Sequence, residues 1–160
     1  MKPVLLATDG SPAAEKAAET AIELAKLLDT ELVIVTVWEL PYTLTGLVPA
    51  PINGELAQLG EEEAVEVVLG AAALARKAGV DTRTLVLRGI PVEEICLAAE
   101  TYEPRLLVVG SHGWGIVKRA VFGSVSTGVL HRAKCPVLVV RADLSEVKSA
   151  RKERANVRVA

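Results

Sequence analysis

Cysteine, histidine and methionine are scarce in this 160-residue chain, at two, two and one copies. Cys96 sits in a helix-like run and Cys135 at the head of a strand-like one, which suits reduced, buried thiols and excludes a disulfide framework. Two histidines and two cysteines far apart in sequence do not make a zinc site. Only Asn53, Gln58 and Asn156 carry side-chain amides, a scarcity that suits a thermophilic source. No stretch approaches the roughly 18 apolar residues of a membrane span, and the N-terminal run Val4-Leu-Leu-Ala7 ends at Thr8-Asp9, too short for a signal peptide. The expectation is a cytoplasmic protein with no membrane partner. A net charge of −2 gives no general attraction for nucleic acid. The familiar phosphate fingerprints are missing too. Gly113-x-Gly115 has Lys118 where GxGxxG needs its third glycine, and GxxxxGK[ST] does not occur, so neither a dehydrogenase nor a Walker-type NTPase is supported.

What the chain does have is apolar mass, 51% hydrophobic residues against 24% charged, enough for one domain with a sizeable core. Strand-like and helix-like runs alternate, the pattern of an α/β domain with a parallel sheet. Strands are predicted at Val4–Thr8, Glu31–Trp38, Thr82–Leu87, Arg105–Val109 and Val137–Arg141. Helices are predicted at Ala13–Leu28, Glu55–Ala78, Pro91–Thr101 and Gly123–Ala133. Ser11 reads as the N-cap of the first helix with Pro12 at its first position. Residues 40–54, rich in proline and glycine, read as an irregular loop. Right-handed crossovers would place helices on both faces of the sheet. From Arg141 onward six Lys/Arg face three Asp/Glu, a net of +3, which leaves −5 on residues 1–140. The domain is therefore set at residues 1–141, with 142–160 as a polar, basic extension ending in the alternating run Asn156-Val-Arg-Val-Ala160.

The most informative stretch is Gly110-Ser-His-Gly113-Trp-Gly115, continuing to Phe122-Gly123-Ser124, because it joins a buried strand to a helix start with Ser124 read as the hydroxyl cap. Gly110, Gly113 and Gly123 let backbone approach a ligand, and free N–H groups with the helix dipole attract an anion. Ser124 would donate its N–H or hydroxyl to a phosphate oxygen, with Val125 and Ser126 extending the same turn. Asp9, ending a buried strand, has two open roles: to bind ribose hydroxyls or a metal on the phosphates, or to serve as a turn residue at the first helix. Val37 reads equally as a plain core valine. His112 lacks an identifiable acidic partner or nucleophile and is read as a loop or pocket residue rather than a general base. Lys118 and Arg119 are candidates for the outer phosphates but also for solvated loop charges, and Trp114 and Phe122 read as cover for the loop.

The spacing G-x2-G-x9-G-[ST] after a late strand resembles the ATP-binding signature of the universal stress protein family. Val4-Leu-Leu-Ala-Thr-Asp-Gly-Ser11 resembles that family's first strand, and Ala133-Lys-Cys-Pro-Val-Leu-Val-Val140 its last. The resemblance covers about residues 2 to 141. It implies a doubly wound, flavodoxin-like sheet of order 3-2-1-4-5, with Asp9 and Gly110 at one crevice. It also implies a nucleotide pocket holding Thr8 and Asp9, with the Val37 backbone at the adenine edge. The ligand it implies is ATP, with Mg2+ or Mn2+ on the phosphates. It further implies a stress-response homodimer, here joined through residues 136–141 because an apolar edge strand invites pairing, and an unidentified protein partner. With no Walker lysine, arginine finger or evident base, hydrolysis would be slow at most. Two other functions stay open. A nucleotidyl transferase of related fold would need a Ser-Gly-Gly-rich loop where this chain has Thr8-Asp-Gly-Ser-Pro12. A dimerising adaptor without nucleotide would not need the intact glycine spacing.

Overall fold

Val4–Ala7 is apolar at every position, as a strand covered on both faces must be, and it forms β1, buried throughout. The computed structural model describes residues 1–39, 54–114 and 122–142. Along the chain follow α1 (Pro12–Leu27), β2 (Leu32–Trp38), α2 (Gly54–Lys77), β3 (Thr82–Arg88), α3 (Pro91–Tyr102), β4 (Leu106–Gly110), α4 (Ser124–Arg132) and β5 (Val137–Val140). All five strands run parallel in the order β3-β2-β1-β4-β5, as the resemblance implied. Element bounds differ from the sequence-based ones by about one residue. The proline-rich loop at 40–53, Lys118 and Arg119, and the extension beyond 142 lie outside the described residues.

Alternation along the strands divides the core into two layers. Val4, Leu6, Leu32, Ile34 and Val108 point toward α1 and α2, while Leu5, Ala7, Val33, Val35, Leu107 and Val109 point toward α3 and α4. Full burial of side chains such as Leu5, Leu6 and Ile34 contributes about 1.5–3 kcal/mol each. α1 turns Ala13, Ala14, Ala17, Ala18, Ala21 and Ala25 inward. These small residues let its axis lie close to the sheet. Ser11 caps it, accepting the Ala14 N–H through Oγ at 3.4 Å, with Pro12 at the first turn.

Close approach is most stringent at Gly110, the last residue of β4. A methyl group there would stand 2.8 Å from both the carbonyl carbon of Ala13 and the nitrogen of Ala14, inside any permissible contact with backbone that cannot rotate away. Gly110→Ala is expected to force the first turn of α1 off the sheet and to cost about 1–3 kcal/mol, the usual penalty of overpacking. A urea midpoint equal to that of the unsubstituted protein would refute this. The two cysteines are free, Cys96 buried and Cys135 partly so. Burial pushes both thiols up from their ordinary range; Arg132 partly offsets this at Cys96. The fold therefore favours the neutral thiol, and the stability this adds is present in full below the unfolded thiol pKa of about 8.5 and lost as pH rises through the raised native values. Both thiols should accordingly react with iodoacetamide at pH 8 more slowly in the native than in the urea-denatured chain, by mass spectrometry.

Candidate functional site

β1 feeds α1 on one face of the sheet and β4 feeds α4 on the other, so the two adjacent loops diverge and leave a crevice at the carboxyl ends of the strands. A cleft of about 240 Å³ fills that place. Thr8, Asp9, Val37, Gly110, Gly113, Gly123, Ser124, Val125 and Ser126, separated by up to 118 positions in sequence, all line it. Apart from His112, its other walls are apolar, with Ala7, Val35 and Val109 from the strand ends, Ala14 from α1, and Pro91 and Ile95 from α3.

In the loop after β1, Asp9 takes the turn role. One carboxylate oxygen, Oδ1, accepts the Ser11 N–H at 3.0 Å and shapes the turn. The other, Oδ2, stands over Gly113, where an added Cβ would come within 2.5 Å of it. Thr8 is held from behind, its carbonyl accepting the Thr36 hydroxyl at 2.8 Å. Two bonds join this loop to the one after β4. Ser11 Oγ donates to the His112 carbonyl at 3.2 Å, and Trp114 Nε1 donates to the Asp9 carbonyl at 3.0 Å. Trp114 is thereby tied to the loop after β1.

Val37 owes its place to strand parity. The Val35 carbonyl faces β1 and accepts the Thr8 N–H at 2.9 Å. Two residues on, Val37 turns its own N–H and C=O to the same side, but β1 has ended at Ala7. A donor and an acceptor are thereby presented to the cleft.

The start of α4 departs from expectation in one respect. Gly123, not Ser124, is the N-cap, with φ −73° and ψ 169° and no side-chain cap bond. Ser124 is already the first helical residue, and the hydroxyl of Ser126, in the same first turn, donates to the carbonyls of Ser111 and Gly123 at 3.0 Å each. The N-terminal N–H groups of α4 are therefore left to face the cleft. Gly123 differs from Gly110 in kind. Its φ is open to any residue, and an added Cβ would find its nearest neighbours, His112 Cα and the Ser111 carbonyl oxygen, at 3.4 Å.

Ser111 was missed in the sequence. It is buried, donates its N–H to the Val140 carbonyl at 2.7 Å, and through its own carbonyl accepts the Gly123 N–H at 2.7 Å as well as the Ser126 hydroxyl. β4, β5 and α4 are fixed to one another through that single residue. The available signal was a polar residue directly following a buried strand. His112 lines the cleft, with Nδ1 3.2 Å from Ser111 Oγ. Arg88 does not line it; its guanidinium lies over the Trp38 ring at 5.5 Å. Among the described residues no lysine or arginine lines the cleft, and no group of three or more His, Cys, Asp or Glu could hold a metal ion. Any attraction for an anion there would have to come from backbone N–H groups and the α4 dipole.

Comparison with known proteins follows the same lines. A universal stress protein of Methanocaldococcus jannaschii is 36% identical over 146 residues, covering 91% of this chain and 85% of its own length. The solved structure of the hypothetical protein MJ0577 superposes with a TM-score of 0.77 at 27% identity, covering 89% of this chain and 96% of the other. That of the universal stress protein from Archaeoglobus fulgidus in complex with dAMP shares the fold, with a TM-score of 0.67 at 24% identity, covering 88% of this chain and 98% of the other. The model of the universal stress protein family matches residues 1–141, the whole of the sheet and all four helices, and the chain belongs to that family.

Proposed function

We propose that the protein is an ATP-binding regulatory module of the stress response with at most slow hydrolysis. The observation that carries it is Gly123: neither its backbone angles nor its neighbours among the described residues require a glycine, yet it sits at a helix start in the cleft with no side-chain cap. A ligand brought against the backbone supplies the missing reason. The phosphates would lie against the backbone at Gly113 and Gly123 and on the N–H groups of Ser124 and Val125, the Gly123 N–H being taken by the Ser111 carbonyl, and the adenine edge would meet the Val37 N–H and C=O between Val35, Pro91 and Ile95. Thr8 and Asp9 would meet the ribose. The dAMP held by the Archaeoglobus fulgidus relative supports an adenine nucleotide in this fold. Mg2+ or Mn2+ would ride on the phosphates, with the exposed carboxylate of Asp9 as the nearest protein ligand, since the described residues assemble no metal site of their own. Its chemistry there would be charge neutralisation.

Calorimetry with ATP on Gly123→Ala and Ser124→Ala tests this. Gly123→Ala should melt close to the wild-type temperature, because alanine fits the native angles and restricts the unfolded chain, which offsets its being a poorer N-cap than glycine. It should nevertheless bind ATP about tenfold more weakly, the loss of roughly one hydrogen bond to a charged group. A folded Gly123→Ala protein with undiminished ATP affinity would overturn the site assignment.

A homodimer through β5 is part of the same proposal, with residues 142–160 as an extension of the domain and a further protein partner left to the dimer's exposed surfaces. β5 is an edge strand whose four residues are all partly exposed. The carbonyls of Pro136 and Val140 face β4, so by strand parity Val139 directs its N–H outward. Val139→Pro removes that outward donor and leaves the β4 ladder intact. It should sediment as a monomer where the wild type sediments as a dimer. A wild-type monomer at micromolar concentration would end the proposal.

A further inference from the structure

α4 is nine residues long and carries a glycine, Gly128, at its middle, although glycine is the poorest helix former after proline. The reason lies across the helix pair. A methyl group at Gly128 would stand 2.7 Å from Val92 Cγ2 and 3.0 Å from Val92 Cγ1. Val92 is β-branched and short, so no rotation takes both methyl groups out of the way, and the helix axes themselves would have to part. Gly128 lies one turn after Ser124, on the same side of the helix. Val92 directly follows Pro91, which forms the opposite wall of the cleft. The same helix pair is bridged further along by Arg132 Nη1 and Glu93 Oε1 at 3.5 Å, both well exposed, a pair too solvated to resist a clash.

We propose that Gly128 is a positioning residue: by letting α4 rest on Val92 of α3, it sets the width of the cleft and the depth at which the N–H groups of residues 124–126 stand in it. This rests on the ATP-binding proposal for what the cleft holds. Gly128 touches no ligand itself. Ile95 of α3 is buried against Val33 and Val35 of the sheet, so α4 would be the helix to give way: widening the pair would draw its start away from a phosphate while leaving the base wall at Val35, Val37, Pro91 and Ile95 in place. The effect should therefore fall on nucleotides and spare the nucleoside, which distinguishes positioning from a general loss of stability.

The experiment compares wild type, Gly128→Ala and the double variant Val92→Ala/Gly128→Ala, by calorimetry with ATP and with adenosine and by amide hydrogen exchange at residues 124–126. Gly128→Ala should lose about tenfold in ATP affinity, with adenosine affinity within about twofold of wild type. Exchange at 124–126 should quicken, and Val92→Ala should reverse both effects by returning the space. A folded Gly128→Ala protein that binds ATP as wild type does, or that loses ATP and adenosine alike without rescue, overturns the inference. Should Gly128→Ala not fold, a double variant that also fails to fold or to bind ATP overturns it, and one that recovers both supports it. If the wild type binds no ATP, the functional proposal falls on its own. Hydrogen exchange then decides the inference: unchanged rates in Gly128→Ala overturn it, and faster rates reversed by Val92→Ala support it.

Discussion

Parallel pairing of β1 with β4, Val4–Ala7 against Leu106–Val109, is the constraint from which the other features follow. The strands are neighbours in space but far apart in sequence, and the chain leaves them toward opposite faces of the sheet. A gap is unavoidable at their carboxyl ends. Everything at the site either lines that gap or braces it. Gly110 admits the first turn of α1 at one side, Ser111 binds β5 and α4 at the other, and Ser11 and Trp114 tie the two loops together across the top.

The bracing is made almost wholly of backbone groups and hydroxyls. Ser11, Thr36, Ser111 and Ser126 are buried, and Ser11, Thr36 and Ser126 each donate a hydroxyl hydrogen bond to a carbonyl. Such bonds are worth about 1 kcal/mol apiece net but cost more when left unmade. They hold positions without adding charge to a cleft whose attraction for anions would depend on dipoles.

Sheet order and most element boundaries were legible because hydrophobic runs and turn residues are local signals, and the three motifs supplied the order that periodicity alone does not contain. The nine residues singled out for the site come together at one cleft for the same reason. Less so was why each is what it is. Gly110, Gly113 and Gly123 look alike in sequence, yet only distances separate a glycine demanded by α1 from one that no atom of the described residues demands. The cap of α4 was misplaced by one residue because Ser124 is a common capping type, whereas Ser126 could reach the carbonyls of Ser111 and Gly123 only after the loop had folded back. Ser111 and Gly128 act through partners distant in the chain, Val140 for the first and Val92 for the second, and no local pattern announces them.

Trp114, bonded through its indole N–H to the main chain of Asp9, has one further consequence. The chain has only two tryptophans, and the other, Trp38, lies against Gly60 and beneath the Arg88 guanidinium. Indole emission depends on the polarity and hydrogen bonding around the ring. With Trp38 replaced by phenylalanine, the protein would carry a single intrinsic optical probe seated on the seam between its two loops, so that opening or tightening of the crevice could be followed as a change of colour in unlabelled material.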